Sequence, residues 1–161
     1  MLGPCNPATR PHDGAMADGT GHVAETFDPT EASAYPLWAH DIVRWGDMDS
    51  LGHVNNAMFG RFLESGRIAM FADWGWTASQ NDHDFVIVRL AIDFRAQLRF
   101  PGTVDSGTRV IRVGRSSITL AQALFQDGAC AATAEAIVVF IDLRANRSVP
   151  LPDDLRARIG R

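Results

Sequence analysis

The chain has 161 residues, 46% of them apolar and 21% charged, a size and balance that suit one globular domain around a single core. Its net charge of −4 belongs to residues 1–35, which hold one Arg against five acids, while residues 36–161 hold fourteen of each; so neutral a body argues against sequence-independent nucleic-acid binding. No run of about 18 apolar residues marks a membrane span, and residues 1–15 lack the regions of a secretory signal, so a cytoplasmic protein is expected.

Residues 1–35 are rich in Gly, Pro, Ala, Thr and Asp without apolar periodicity. They predict a disordered extension, removable with little change in stability, ahead of one domain over residues 36–161. Trp38 to Trp45 alternates loosely and reads as a first strand that runs into a polar turn over residues 46–52. Asn55 or Asn56 is a good N-cap, and Phe59, Phe62, Leu63, Gly66, Met70 and Phe71 recur at helical spacing as far as Trp74-Gly75, a C-terminal stop. This predicts one long helix of about 27 Å. Its interior Gly60 and Gly66 each cost about 1 kcal/mol relative to Ala, which close packing against a backbone would explain.

From Phe85 the period becomes two, with Val86, Val88, Leu90, Ile92 and Phe94 on one face of a strand. Val104 to Val113, Ser117 to Phe125 and Cys130 to Leu143 follow, separated by the hairpin signals Gly114-Arg115 and Gln126-Asp127-Gly128. They read as an antiparallel meander, and residues 144–161, with Pro150 and Pro152, as coil and a short helix. The fold class is therefore α+β, with one helix against a mostly antiparallel five-stranded sheet. One helix cannot cover both faces, and the apolar surface left over predicts a homodimer or homotetramer.

The chain contains no Lys, which excludes P-loop and Schiff-base chemistry. Cys5 and Cys130 stand in no disulfide or metal spacing. Two acids, a His and two Asn crowd residues 47–56. Asp47, Asp49 and Gly52 match three positions of a calcium loop, but Leu51 and Met58 occupy places where oxygen ligands belong. A phosphatase Asp-x-Asp would want a parallel sheet and a phosphate-clamping Lys, and Gly19 to Ala24 has a dinucleotide-binding spacing with no strand before it. No serine-hydrolase elbow occurs. What remains is a carboxylate just before a helix N-terminus, whose unpaired N–H groups could steady an oxyanion while the carboxylate attacks a carbonyl or deprotonates water. The plain alternative is that Asp47 and Asp49 form turns and caps. Neither a metal nor a cofactor is implied.

The run RWGDMDSLGHVNNAMFGRFLESGR, residues 44–67, resembles the active-site segment of hotdog-fold acyl-CoA thioesterases of the 4-hydroxybenzoyl-CoA thioesterase type. Ile92-Asp93-Phe94, Arg99-Phe100-Pro101-Gly102 and Gly114-Arg115-Ser116-Ser117 extend the likeness, which covers about residues 38–155. The resemblance implies a hotdog fold and Asp49 as the catalytic carboxylate. It also implies a carbonyl-polarising amide near Asn56, with Asn55 beside it, and Glu64 as the family's helix acid. His53 matches a His of the related plant acyl-carrier-protein thioesterases, though Leu51 replaces their Asn, so His53 either acts or braces the loop. Glu64 also reads as half of a surface ion pair with Arg67. Arg115 and Ser116 are candidates for the phosphates of coenzyme A, and Phe59 for an apolar acyl slot along the helix. The implied partner is an acyl-CoA or an acyl carrier protein. The rival is a hotdog module that binds such a ligand without turning it over.

Overall fold

The computed structural model describes residues 26–76 and 82–159. Its strands are β1 (Leu37–Ile42), β2 (His83–Phe94), β3 (Thr103–Val113), β4 (Ser117–Gln126), β5 (Ala129–Asp142) and β6 (Arg147–Ser148), and its helices α1 (Asn56–Asp73) and α2 (Asp153–Ile159). The sheet runs in the order β1-β3-β4-β5-β2, every pairing antiparallel. The two-residue β6 pairs with β5 and makes the sheet six-stranded rather than five-stranded. So short a strand carries no periodicity from which to be read.

Helix α1 begins and ends on its local signals. The Asn55 side chain accepts the Ala57 N–H at 3.0 Å. At the other end Gly75 takes φ 70° and the Trp76 N–H reaches back to the Phe71 carbonyl at 2.8 Å, a Schellman closure that only a left-handed residue permits. The helix lies across one face of the sheet, against β1, β3 and β4. At its N-terminal end Phe59, Phe62 and Leu63 share a core with Val43, Leu98 and Leu124. At its C-terminal end Met70, Phe71 and Trp74 meet Ile118, Phe140 and Leu155, the last from α2.

The two helix glycines differ. A Cβ on Gly66 would lie 2.4 Å from Ser106 Oγ and 3.0 Å from Thr108 Oγ1, whereas one on Gly60 meets nothing nearer than Leu90 Cδ2 at 4.0 Å. Close packing therefore accounts for Gly66, though against polar side chains of β3 and β4 rather than a backbone, and does not, within one chain, account for Gly60. Arg67 is not paired with Glu64 on the surface. It is buried, and its guanidinium donates to Gln122 Oε1 at 2.9 Å, while Gln122 Nε2 donates to the Leu63 carbonyl and to Thr108 Oγ1. Burial pulls the Arg67 pKa down from its usual value, with Glu64 opposing that pull.

Three expectations change. The first strand stops at Ile42, because the Asp47 carboxylate draws residues 45–47 into a 3-10 turn. On β2 the pairing with β5 shifts between Ile87 and Arg89. Val88 is the extra residue, and a one-residue insertion exchanges the two faces. Phe85 and Ile87 thus share the helix side with Leu90, Ile92 and Phe94, and Val86 and Val88 leave it. The third change concerns the extension. Residues 1–25 lie outside the described residues, but residues 26–35 are folded against the domain. Tyr35 is 3% exposed and packs with Phe27 on Ala121, Ala123 and Phe125, with burial pushing its phenol pKa up to about 12.

Candidate active site

The connection from β1 to α1 is tied down at every turn. The Val43 N–H donates to the Gly102 carbonyl at 2.9 Å and the Val54 N–H to the Leu98 carbonyl at 2.9 Å, so the β2–β3 loop backs this one. Asp47 is buried. Its Oδ2 accepts the Arg44 N–H at 2.7 Å, and its carbonyl accepts the Asn55 N–H at 2.8 Å. These bonds consume Asp47 as a structural acceptor, the turn-forming role that Asp commonly takes.

Asp49 is placed differently. Met48 and Val54 form an isolated antiparallel bridge, the Asp49 N–H donates to the His53 carbonyl at 2.8 Å, and Gly52 turns the chain at φ 78°, a region that favours glycine. In this tight loop Asp49 Oδ1 accepts the Leu51 N–H at 2.8 Å and, more weakly, the His53 N–H at 3.5 Å. Its Oδ2 has no hydrogen-bond partner among the described residues. One carboxylate oxygen is thus locked and the other open.

Asn55 is the helix cap and Asn56 the first helical residue. The Asn56 N–H has no acceptor among the described residues, as expected at a helix start, where the first amides are unpaired and the dipole favours negative charge. The sequence therefore brings Asp49, His53, Asn55 and Asn56 into one corner. The half-buried His53 ring has no hydrogen bond among the described residues, and its backbone, through both its N–H and its carbonyl, is what steadies Asp49.

The remaining candidates are not gathered there. Phe59 is 2% exposed and meets Phe94 edge to face at 5.0 Å, so it is core rather than an open acyl contact. Arg115 and Ser116 sit on the β3–β4 hairpin, where their carbonyls accept Leu151 and Phe140 N–H groups. This hairpin adjoins the core at the C-terminal end of α1, so within one chain about 27 Å of helix separates it from the Asp49 corner. Glu64 is exposed and borders a cleft of about 280 Å³ between β1 and α1, shared with Asp41, Arg44, Met58, Arg61 and Phe62. No sequence signal links Asp41 to Glu64. Only the packing of β1 beside α1 brings them together.

Among the described residues no cluster of three His, Cys, Asp or Glu side chains could hold a metal, and no helix is long and apolar enough to cross a membrane. Cys130 is half-buried, and desolvation raises its pKa, which disfavours the nucleophilic thiolate.

A curled antiparallel sheet, a long helix across one face and a carboxylate loop at that helix's start define a hotdog protein of the thioesterase kind. The family model of the thioesterase-like superfamily matches residues 43–159, and the chain belongs to that superfamily. It is a thioester hydrolase. Among solved structures it is similar to the PA2801 protein of Pseudomonas aeruginosa, a candidate thioesterase, at 32% identity and TM-score 0.73 over 78% of this chain and 98% of that one. It is also similar to a Thermus thermophilus thioesterase solved with coenzyme A and Zn, at 31% identity and TM-score 0.70 over 78% and 92%. A 1,4-dihydroxy-2-naphthoyl-CoA thioesterase from Synechocystis shares the fold at 18% identity and TM-score 0.69 over 77% and 95%. No curated protein matches the chain.

Proposed function

We propose that this chain hydrolyses the thioester of an acyl-CoA, with Asp49 as the reacting carboxylate and the Asn56 amide as the group that polarises the carbonyl. The observation that carries this reading is the division of labour within Asp49, whose Oδ1 is held by the Leu51 N–H at 2.8 Å while Oδ2 remains open beside a helix start. A thioester carbonyl is poorly stabilised by resonance, so one carboxylate and one directed amide suffice without a Ser or a metal. Oδ2 either takes a proton from water as water adds to the carbonyl, or adds itself and leaves a mixed anhydride for water to open. On either route the thiolate departs and takes up a proton, and the products are one acid and one thiol. His53 steadies the loop, and Glu64 borders the neighbouring cleft. A thiol-release assay over a panel of acyl-CoA and acyl-carrier-protein thioesters tests the assignment. Turnover of none of them, with the ligands still bound, would make the chain a binding module.

The acyl preference we propose is medium-chain or aromatic. The helix residues Phe59, Phe62, Leu63 and Met70 are committed to the core, but Phe94 is 50% exposed where it meets Phe59 near the helix start, and Leu90 follows it along β2. These side chains offer an apolar wall beside the Asp49 corner. Catalytic efficiency is expected to rise from acetyl- to octanoyl-CoA, since each buried methylene contributes about 0.8 kcal/mol. A maximum at acetyl- or succinyl-CoA would reject the wall and leave the hydrolase standing.

The assembly we propose is a homodimer or homotetramer built on β2. This twelve-residue strand is a sheet edge and exposes Ile87 and Val88, the latter 59% exposed. A long apolar edge of this kind is a template for pairing. Light scattering is expected to give at least twice 17.6 kDa at micromolar concentration. A fully active monomer would contradict it.

A further inference from the structure

Strand β2 reads alike from either end. Its pairing with β5 slips at Val88, so the residues on the helix side are His83, Phe85 and Ile87 before the bulge and Leu90, Ile92 and Phe94 after it. Directly opposed residues of an antiparallel pair share a face. A twofold axis at the bulge therefore matches helix side to helix side along the whole strand, setting Phe94 against the partner's His83, Ile92 against the partner's Phe85 and Leu90 against the partner's Ile87. Five of these six residue types are apolar and the sixth is an imidazole. The half-buried His83 ring is stacked on Phe140, with ring centres 5.5 Å apart and planes at 13°, and its nitrogens have no hydrogen bond among the described residues. Asp142 stands opposite it on β5, but Asp142 Oδ1 already accepts the Arg144 and Ala145 N–H groups at 2.9 and 2.8 Å. Phe94, in turn, is half exposed and meets Phe59 in the first turn of α1.

We propose that the partner's His83 is the acid that protonates the departing thiolate, so that each site takes its carboxylate from one chain and its imidazole from the other. This rests on the hydrolase reading and the β2 dimer proposed above. On the helix side of the seam the wall runs from Phe94 with the partner's His83, through Ile92 with the partner's Phe85, to Leu90 with the partner's Ile87. The polar ring thus stands at the end next to the Asp49 corner, where the C–S bond breaks, and the apolar pairs continue away from it, where an acyl chain would lie. As water adds to the carbonyl, Asp49 Oδ2 takes its proton. As the C–S bond breaks, the imidazolium gives a proton to the sulfur, and Asp49 then returns its own to the imidazole through water. One water is consumed, and one acid and one thiol leave.

Mixed dimers of the full chain separate a site shared in this way from one built within a chain. When a chain carrying Asp49→Asn is paired with one carrying His83→Gln, each with its own purification tag, one site holds both changes and the other holds neither. The mixed dimer is expected to recover about half the parent's kcat on octanoyl-CoA, while each variant homodimer stays at least about tenfold below the parent. Half-recovery needs both chains folded, so it also answers for a His83→Gln chain that folds poorly alone. His83→Gln is further expected to spare octanoyl thioesters of an aryl thiol, whose more acidic thiolate leaves without a proton, whereas Asp49→Asn slows both classes. Asp84→Cys/Asp93→Cys, on the outer side of the strand, reads the register. The two positions are about 30 Å apart along one strand, so the disulfide expected between them on oxidation can form only between chains. No recovery in the mixed dimer, parent-like turnover by His83→Gln, an equal loss on alkyl and aryl thioesters, or no cross-link between positions 84 and 93 would each overturn the proposal. Parent-like turnover by Asp49→Asn would strike the carboxylate reading alone, and the aryl-thioester contrast would still decide for or against the imidazole.

Discussion

Asp49→Asn is expected to fold as the parent does and to lose at least about a hundredfold in kcat, the scale of a general-base contribution. The substitution is nearly isosteric. An Asn carbonyl oxygen can still accept the Leu51 N–H that Oδ1 accepts at 2.8 Å, so the loop keeps its shape, while the open oxygen becomes an amide nitrogen that neither takes a proton nor attacks a carbonyl. Asp47→Asn provides the contrast. Its Oδ2 bond to the Arg44 N–H shapes the turn but faces no reacting group, so its loss of rate should be smaller and accompanied by a lower melting temperature. Steady-state kinetics with a good acyl-CoA substrate decides the matter, and parent-like turnover by Asp49→Asn would remove Asp49 from the mechanism.

Gly66→Ala and Gly60→Ala are expected to move stability in opposite directions, although the two glycines stand on one helix. At Gly66 the new methyl would lie 2.4 Å from Ser106 Oγ and 3.1 Å from Gln122 Nε2. Gln122 cannot retreat without loosening its bonds to Arg67, Thr108 and the Leu63 carbonyl. Overpacking of this sort costs about 1–3 kcal/mol, and loss of the buried Arg67–Gln122 bond adds to it. The gain in helix propensity returns about 1 kcal/mol, leaving a net loss of about 2 kcal/mol, or roughly 5 °C in Tm for a domain of this size. At Gly60 the nearest atom is 4.0 Å away, the propensity gain stands alone, and Tm should rise by about 2 °C. Thermal unfolding of both variants checks the pair. A fall in Tm for Gly60→Ala would place a second protomer against that turn of the helix.

Features set by neighbours in the chain were legible in the residue order. The start of α1 at its Asn55 cap, its end at a left-handed Gly75, the hairpins of the meander and the placement of Asp49 before a helix all follow from signals within a few residues. Each is a local backbone requirement met by a particular side chain or by its absence. The corner holding Asp49, His53, Asn55 and Asn56 belongs to the same class, because one short loop builds it.

Features set by partners far along the chain were not. A single bulge at Val88 changes which β2 side chains face the helix, and alternation alone does not show where the extra residue falls. Arg67 sits at the spacing of a surface pair with Glu64, yet it is drawn into the core by Gln122, 55 residues on. Phe27 and Tyr35 are too sparse to make a periodic pattern, and they become anchors only because Gly107 leaves a seat on a strand more than seventy residues away. Within one chain the length of α1 stands between Arg115 and Ser116 and the Asp49 corner. In each case the deciding energy is burial against a surface that exists only after the sheet has closed, and no window of sequence contains both partners.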